Sequence, residues 1–458
     1  MSALFWLVMS AFPAAGSARD VRAGIGVVDI TPPVGFRMSG YFSERLSTGT
    51  HDPLQAKALV LQQGQTTLAL VLCDLIGVSR RVTDGVRRAA FGRTGIPPEN
   101  IAIAGTHTHT GPLYEGVLRE HFHKLAISRE GRDPCESVDY PAFLIERITR
   151  SIEQAKDSLR PVNLRVAVVE QNPQISFNRR FHMKDGSVVF NPGPQNPNIV
   201  RPAGPIDPAV TVIVLEEGNR PFATLTNFAM HLDTTGGTLY SADYPGYLEQ
   251  ALRRDFGAAF VSLFATGTCG DINHIDVSVP GRRTAEELGT LLARTVRDAV
   301  RQARPASPDL AAASARVTVS LQRFAPDERQ RAEEQMALVG SRELPFLDQV
   351  RAYKILSLAA RGPTIDLEVQ VFRVAADTAV VLLPGEVFVE LGLAIKKASP
   401  FRTTLVVELV NDCPHYIPTR KAFAEGSYET VNSIVQSGGG EAMVDAAVDL
   451  LKRLAPAP

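Results

Sequence analysis

The chain has 458 residues, 45% hydrophobic and 21% charged, and its 48 basic and 49 acidic side chains leave a formal charge of -1. Such a composition belongs to a folded protein with a large core and excludes a disordered chain. The balanced charge gives no reason to expect a nucleic-acid partner and supplies no global field to steer a charged polymer.

At the start, Ala3-Leu4-Phe5-Trp6-Leu7-Val8-Met9 is a short apolar core, followed by the small residues Pro13-Ala14-Ala15-Gly16-Ser17-Ala18. This pattern predicts a signal peptide over residues 1–18 and a secreted or periplasmic protein. The run is too short to span a bilayer, and nothing later approaches about 20 continuous apolar residues, so no transmembrane segment is expected. Strands are predicted over 23–30, 56–61, 67–73, 101–104, 164–169, 210–215, 223–229, 260–264, 367–374, 380–383 and 404–410. Many are rich in Val, Ile and Leu on both faces, as strands under helices are. Helices are predicted over 140–159, 244–254, 284–304, 326–360 with a break near Gly340 and Pro345, and 441–454. In 284–304 the residues Leu288, Leu291, Leu292, Val296 and Ala299 form one apolar stripe. The charged 327–343 stretch reads as a solvated helix face. Residues 192–208, with six prolines, read as a long extended connection of the kind that shapes a site.

The alternation predicts an α/β fold, a central mixed β-sheet core flanked by helices, with a metal site at strand ends. No internal repeat is visible and no linker divides the chain, so residues 19–458 are expected to form a single catalytic domain. The four cysteines lack the CxxC spacing of a structural zinc site. Cys73 reads as a core residue; export would permit one bridge among Cys135, Cys269 and Cys413, with no pairing legible. Nothing in the sequence speaks to oligomeric state.

Four apolar strands run into ionisable residues. Ile101-Ala102-Ile103-Ala104 leads into Gly105-Thr106-His107-Thr108-His109-Thr110-Gly111-Pro112. In an extended backbone His107 and His109 face one side and reach one centre. Residues 224–230 deliver His231, followed by Asp233. Val380-Val381-Leu382-Leu383 ends in Pro384-Gly385-Glu386, and Leu405-Val406-Val407 leads to Asn411-Asp412-Cys413-Pro414-His415-Tyr416.

On these residues the sequence resembles the catalytic domain of the neutral/alkaline non-lysosomal ceramidase family. The opening Gly26-Val27-Val28-Asp29-Ile30-Thr31-Pro32-Pro33 with Met38-Ser39-Gly40-Tyr41 is similar to that family's start. Residues 105–112 resemble its HTHSGP segment, Asn178-Arg179 its INRSP, Pro384-Gly385-Glu386 its PGE, His415-Tyr416-Ile417-Pro418-Thr419 its HYxTT and Tyr428-Glu429 its RYE. The resemblance implies a Zn2+ cofactor held by His107, His231, Glu386 and Tyr416, with His109, Arg179 and Tyr428 as site residues that do not bind the metal. His109 is assigned to hydrogen bonding with water or substrate, and Arg179 and Tyr428 to the oxyanion.

The sequence departs from the family in three places. Where the family's GDVSPN carries a serine, Gly270-Asp271-Ile272-Asn273-His274 has Asn273. An amide cannot attack, which leaves metal-activated water as the nucleophile. Asp271 is kept, as a general base or as a structural loop carboxylate; His274 and Asp276 are additions, read as hydrogen-bonding groups in preference to a second metal site. The family's C-terminal β-sandwich is expected to be absent. Finally, Arg179-Arg180-Phe181-His182-Met183-Lys184 is basic and 114–139 is rich in charge, and unpaired charges beside two buried alkyl chains are costly.

The leading expectation is therefore a zinc-dependent amidohydrolase acting on a ceramide-like lipid or another N-acyl compound. A second keeps the metal and takes a polar carbohydrate, as a deacetylase or uronate-directed enzyme, which the basic stretch favours. A third is a non-catalytic binding protein on a hydrolase scaffold.

Overall fold

The structure is a computed structural model and describes residues 20–456; the predicted signal segment lies outside them. Its larger sheets are built from β1 (Arg22–Asp29), β2 (Gln55–Gln63), β3 (Thr66–Cys73), β4 (Ile101–Gly105), β5 (Asn163–Glu170), β6 (Ala209–Glu217), β7 (Arg220–Phe228), β8 (Val261–Thr266), β9 (Pro308–Ser320), β10 (Thr364–Ala375), β11 (Thr378–Leu382) and β12 (Thr403–Val407). The helices that matter here are α1 (Arg80–Thr94), α2 (Val117–Glu130), α3 (Tyr140–Asp157), α4 (Tyr244–Phe256), α5 (Ala285–Gln302), α6 (Pro326–Met336), α7 (Phe346–Ala359), α8 (Val389–Ala398) and α9 (Gly439–Leu454). Among the described residues no helix is long and apolar enough to cross a membrane.

The expected mixed sheet occurs three times over, in the orders β4-β3-β2-β1, β8-β7-β6-β5 and β9-β10-β11-β12. Each follows one plan. Three strands run antiparallel, then a helix (α1, α4 or α8) carries the chain to a fourth strand parallel to the third. A closing helix (α3, α5 or α9) follows, and after the first two a short Arg-Pro strand, Arg160–Pro161 or Arg304–Pro305, pairs on β1 or β5. The repeat that the sequence does not show is thus present in topology, because it is carried by strand order rather than by shared residues.

One apolar core collects residues from all three sheets, among them Leu59, Leu70, Leu72, Ala104, Ile213, Leu225, Leu263, Phe372, Leu382 and Leu405. The strands have helices on one side and this core on the other. That explains why β4, β11 and β12 are buried along their whole length and read as unbroken apolar runs. The carboxyl ends of the third and fourth strands meet there. Gly105 N–H donates to Leu409 O at 3.2 Å, Glu408 N–H to Thr266 O at 3.1 Å, and the Thr266 hydroxyl to Thr106 O at 2.7 Å.

α5 shows how local sequence sets an element. Thr284 and Glu287 form a capping box at its start, and Leu288, Leu292, Val296 and Ala299 of the predicted stripe are buried. The 326–360 prediction resolves into α6 and α7, broken where expected. α1, α2 and β9 were not predicted. α1 buries Arg87 beside Val82, Val86 and Ala90, and α2 buries only Leu118 and Phe122, so neither carries a wide stripe. β9 holds Ala311-Ala312-Ala313, poor strand formers whose extended shape is imposed by pairing with β10.

The first hairpin of each unit has a long insertion at the end where the strands meet. Residues 30–54 form the first. Residues 171–208 form the second, where the proline-rich stretch supplies Ile199–Pro202 to a small sheet with Arg180–Met183 and Val188–Phe190. Residues 321–363, carrying α6 and α7, form the third.

Candidate active site

Each expected metal ligand follows a strand end. Beyond β4, His107 takes a left-handed backbone, φ 79°, rather than the extended one expected, and its N–H donates to Leu75 O. A non-glycine residue there stores strain, which sites of function retain. Its Nδ1 donates to Ile76 O at 2.7 Å. Beyond β7, His231 donates from Nδ1 to Cys269 O at 2.9 Å. With both Nδ1 protons committed to carbonyls, each neutral ring presents a lone pair at Nε2.

Those two Nε2 atoms face each other at 3.0 Å. Glu386 Oε2 lies 3.3 Å from His107 Nε2 and 3.4 Å from His231 Nε2. The oxygen is shielded from solvent and has no hydrogen-bond donor in good geometry. Three acceptors converging out of water call for a cation between them. Ligands 2.0–2.1 Å from a tetrahedral ion stand about 3.3 Å apart, so the spacing fits zinc.

Glu386 arrives through Pro384-Gly385. Gly385 has φ +79°, and a Cβ on it would stand 2.8 Å from His415 O, so this turn needs glycine. The next residues, Glu386–Val387, pair in parallel with Tyr416–Ile417, putting Glu386 directly beside Tyr416. The Tyr416 hydroxyl accepts from Arg179 Nη2 at 3.1 Å. Burial, reinforced by Glu386, raises this phenol well above its usual range, so it needs a cation to give up its proton. Burial would raise Glu386 too, but His107 and His231 beside it hold the carboxyl well below the usual range. Burial, with Arg179 and His107, pulls His231 down to about 4.

His109 Nε2 is 3.4 Å from His107 Nε2, and its Nδ1 is buried without a partner. The ligand nitrogens of His107, His109 and His231 all lie within 4.8 Å of one another. Arg179 is fully buried. It donates to Glu429 Oε1 at 2.9 Å and Gly270 O at 2.7 Å, and its Nη1 stands 3.2 Å from His231 Nε2. Tyr428 packs edge-on against Tyr416, ring centres 5.5 Å apart, and burial raises its hydroxyl to about 12.

Asp271 stands apart from this group and does not line the cavity. Its Oδ1 accepts from Val389 N–H at 2.8 Å, at the start of α8, and its Oδ2 from Asn178 at 2.8 Å. Burial raises it to about 6, and both oxygens are occupied by the frame that holds Arg179. Asn273 bonds Asn191 and Ile275, His274 bonds Asp233, and Asp276 bonds Ser278. All four cysteines are free.

Three of the four expected ligands, His107, Glu386 and Tyr416, line a cavity of about 950 Å³ together with His109 and Tyr428, while His231 and Arg179 lie behind them. Phe42, Leu113, Leu118, Met336, Tyr353 and Leu356 give it an apolar wall drawn from the insertions, from α2 and from the loop before α2, while Glu115, Glu120, Lys124, Glu333 and Arg361 add charge. The charged 114–139 segment does therefore reach the cavity. The basic 179–184 stretch does not: Arg180 is buried and spent on Glu425 and Glu429. α6 brings two residues to the cavity, the buried Met336 and Glu333.

Sequence reasoning missed Asn432, which touches Tyr428, and a second cluster of His123, Asp133 and Glu136. The carboxylates of that cluster are already held by Arg37 and Arg119, so it is a charge network. Neither has a motif to announce it.

A sequence profile described as neutral/alkaline non-lysosomal ceramidase, N-terminal, matches residues 21–280. Neutral ceramidase of Pseudomonas aeruginosa is 27% identical over 279 residues, covering 58% of this chain and 39% of that protein. Neutral ceramidase 3 of Arabidopsis thaliana is 30% identical over 193 residues, covering 39% of this chain and 25% of that protein. The matched stretches therefore span well under half the length of these curated relatives. The crystal structure of the Pseudomonas aeruginosa neutral ceramidase superposes with a TM-score of 0.72 at 21% identity, over 96% of this chain and 75% of that one. A ceramidase complexed with C2 gives 0.69 at 20% identity, over 96% and 76%. At that identity the likeness is one of fold.

Proposed function

Because the chain belongs to the neutral/alkaline non-lysosomal ceramidase family, we propose that it is a zinc-dependent amidohydrolase acting on a ceramide-like lipid or another N-acyl compound. The observation that carries the reading is the set of three converging acceptors, His107 Nε2, His231 Nε2 and Glu386 Oε2, within 3.0–3.4 Å of one another.

His107, His231, Glu386 and Tyr416 would hold the ion. When bound, zinc supplies a Lewis acid and a water acidic enough to attack near neutral pH. The carbonyls of Ile76 and Cys269 keep both imidazoles in the tautomer that a metal requires. Arg179, donating to the Tyr416 oxygen, favours the phenolate. Tyr428, which lines the cavity, keeps its proton at neutral pH, its hydroxyl raised to about 12, and serves as donor to the developing oxyanion, while Arg179, expected to share that role, stays behind the cavity wall and acts through the Tyr416 oxygen. Such a donor contributes about 3–4 kcal/mol to the transition state. His109, kept neutral first by burial and then by His107, is placed to hydrogen-bond water or substrate. Asp271 serves the site by fixing Asn178 and the start of α8. In the overall reaction the C–N bond breaks, hydroxyl joins the acyl carbon and a proton joins the leaving amine.

The apolar wall supports an alkyl-bearing substrate, and a cavity of about 950 Å³ is at the upper end for a single ligand. The carbohydrate reading loses its main support, since Arg180 is neutralised away from the cavity. We also assign residues 1–18 to an export signal and the rest to one catalytic unit. The test measures zinc content and compares turnover of a fluorescent short-chain ceramide with that of N-acetylated and uronate oligosaccharides. Turnover of the oligosaccharides alone would refute the lipid reading, and full activity after complete zinc removal would refute the metal.

A further inference from the structure

The ring of Tyr428 is fixed by three aromatic contacts. The ring stacks near Phe346 at 5.5 Å and Phe190 at 4.7 Å and meets Tyr416 edge-on. These contacts fix the plane but leave the O–H free to swing. Whether that proton reaches a substrate oxygen depends on what engages the phenol's own oxygen.

Asn432 sits one turn along, its backbone N–H bonded to Tyr428 O at 2.9 Å. Its Nδ2 donates to Tyr428 Oη at 3.2 Å, and its Oδ1 faces His415 Nδ1 at 3.2 Å. Both Asn432 and His415 line the cavity. A carboxamide has one accepting and one donating end. A His415 Nδ1–H on the oxygen therefore commits the amide N–H to Tyr428. With that lone pair filled, the phenol's own O–H is left to donate, and Tyr428 lines the cavity, with the Tyr416 hydroxyl as its other neighbour.

We infer that Asn432 is a positioning residue that, oriented by His415, aims the Tyr428 proton at the substrate oxygen. The inference rests on the reading of Tyr428 as an oxyanion donor. It makes Asn432 a determinant of kcat that binds neither metal nor substrate.

The test compares Asn432→Asp and Asn432→Ala, each alone and with Tyr428→Phe, in zinc-loaded protein turning over a fluorescent short-chain ceramide. Aspartate offers only acceptors and draws the phenol proton away from the cavity. N432D should lower kcat about 100-fold or more, matching Y428F, while N432A, which leaves the hydroxyl free, should lose about tenfold. KM, zinc content and the thermal midpoint should stay at wild-type values. In the Y428F background neither change should cost anything further. Dodecylphosphonate, whose tetrahedral anionic head stands in for the oxyanion, should show the same ranking in calorimetric binding, without turnover.

A space-filling role predicts the opposite order, because aspartate keeps the shape and alanine does not. Alanine worse than aspartate, or equal losses with and without the Tyr428 hydroxyl, overturns the inference. A costly Y428F with a harmless N432D overturns it alone. A harmless Y428F overturns the oxyanion reading as well.

Discussion

The metal reading is tested most sharply by setting Glu386→Gln against His109→Ala. Two donor sets are geometrically close: the three imidazoles, within 4.8 Å of one another, and the set in which Glu386 joins His107 and His231. Only the second has all three separations near the roughly 3.3 Å edge of a tetrahedral zinc site: 3.0, 3.3 and 3.4 Å. His109 meets His107 at 3.4 Å, but its ring centre stands 5.6 Å from that of His231. Zinc sites of four protein ligands release about 10–16 kcal/mol at neutral pH, so an even share is about 3 kcal/mol per ligand. At 1.4 kcal/mol per decade, E386Q should weaken zinc binding by more than about 100-fold, whereas H109A should stay within about tenfold. Glutamine keeps the shape of glutamate, so circular dichroism should be unchanged. Competition against a chromophoric chelator gives both affinities. E386Q binding zinc within about threefold of wild type, with H109A losing more than about 100-fold, would mean that the three imidazoles hold the ion and that Glu386 does other work.

Burial pushes Asp74 up to about 7, partly offset by Lys57 and the Gln55 N–H. An acid raised above its unfolded value of 3.8 costs stability as pH climbs from about 4 to 7, on the order of 4 kcal/mol once ionised. Urea unfolding at pH 5 and pH 8 should show Asp74→Asn losing much of that slope; an unchanged slope would contradict it. Glu429 is fully buried and takes both Arg179 and Arg180, so Glu429→Gln leaves two buried guanidiniums short of a counter-ion. It should cost about 3–5 kcal/mol in urea unfolding, and a loss under about 1 kcal/mol would mean those cations find other partners. Leu356→Trp narrows the apolar wall. It should raise KM for long N-acyl chains about tenfold or more while sparing short ones, and an equal effect on both lengths would remove α7 from the substrate's path.

How far the sequence is legible depends on what each feature rests on. Buried strands announce themselves because core on one side and helix on the other demand apolar residues at every position, and β3, β4 and β11 were placed to within one or two residues. β9 was invisible because alanine states no preference and its partner β10 supplies the constraint. Strand ends pointed to a wider group of ionisable residues, His107, His109, His231, Asp233, Glu386, Asp412, His415 and Tyr416 among them, and the family resemblance singled out His107, His231, Glu386 and Tyr416 as ligands. The left-handed backbone of His107 was not legible, because it depends on a bond from its N–H to Leu75 O. The basic 179–184 stretch misled for a related reason: a charge reads as free until its partner is known, and Glu425 and Glu429 lie more than 240 positions away.

The threefold plan explains why chemistry and specificity separate in this fold. Each unit's third and fourth strands end at the shared core, where a backbone shift in one sheet is felt by the other two through bonds such as Glu408 N–H to Thr266 O. Glu408 makes the coupling concrete. Fully buried, it accepts from Val387 N–H, next to Glu386, and from the thiol of Cys269, whose carbonyl orients His231. One side chain of the third unit thereby fixes the backbone beside two expected ligands from different units. Much of the cavity's apolar wall hangs instead from hairpin insertions, such as α6 and α7 between β9 and β10, and these can change length without disturbing a strand end. Substitutions in the insertions should therefore move substrate preference with zinc affinity intact. Substitutions at Glu408 or Cys269 should move zinc affinity with substrate preference intact, and a metal affinity that tracked the insertions would break this division.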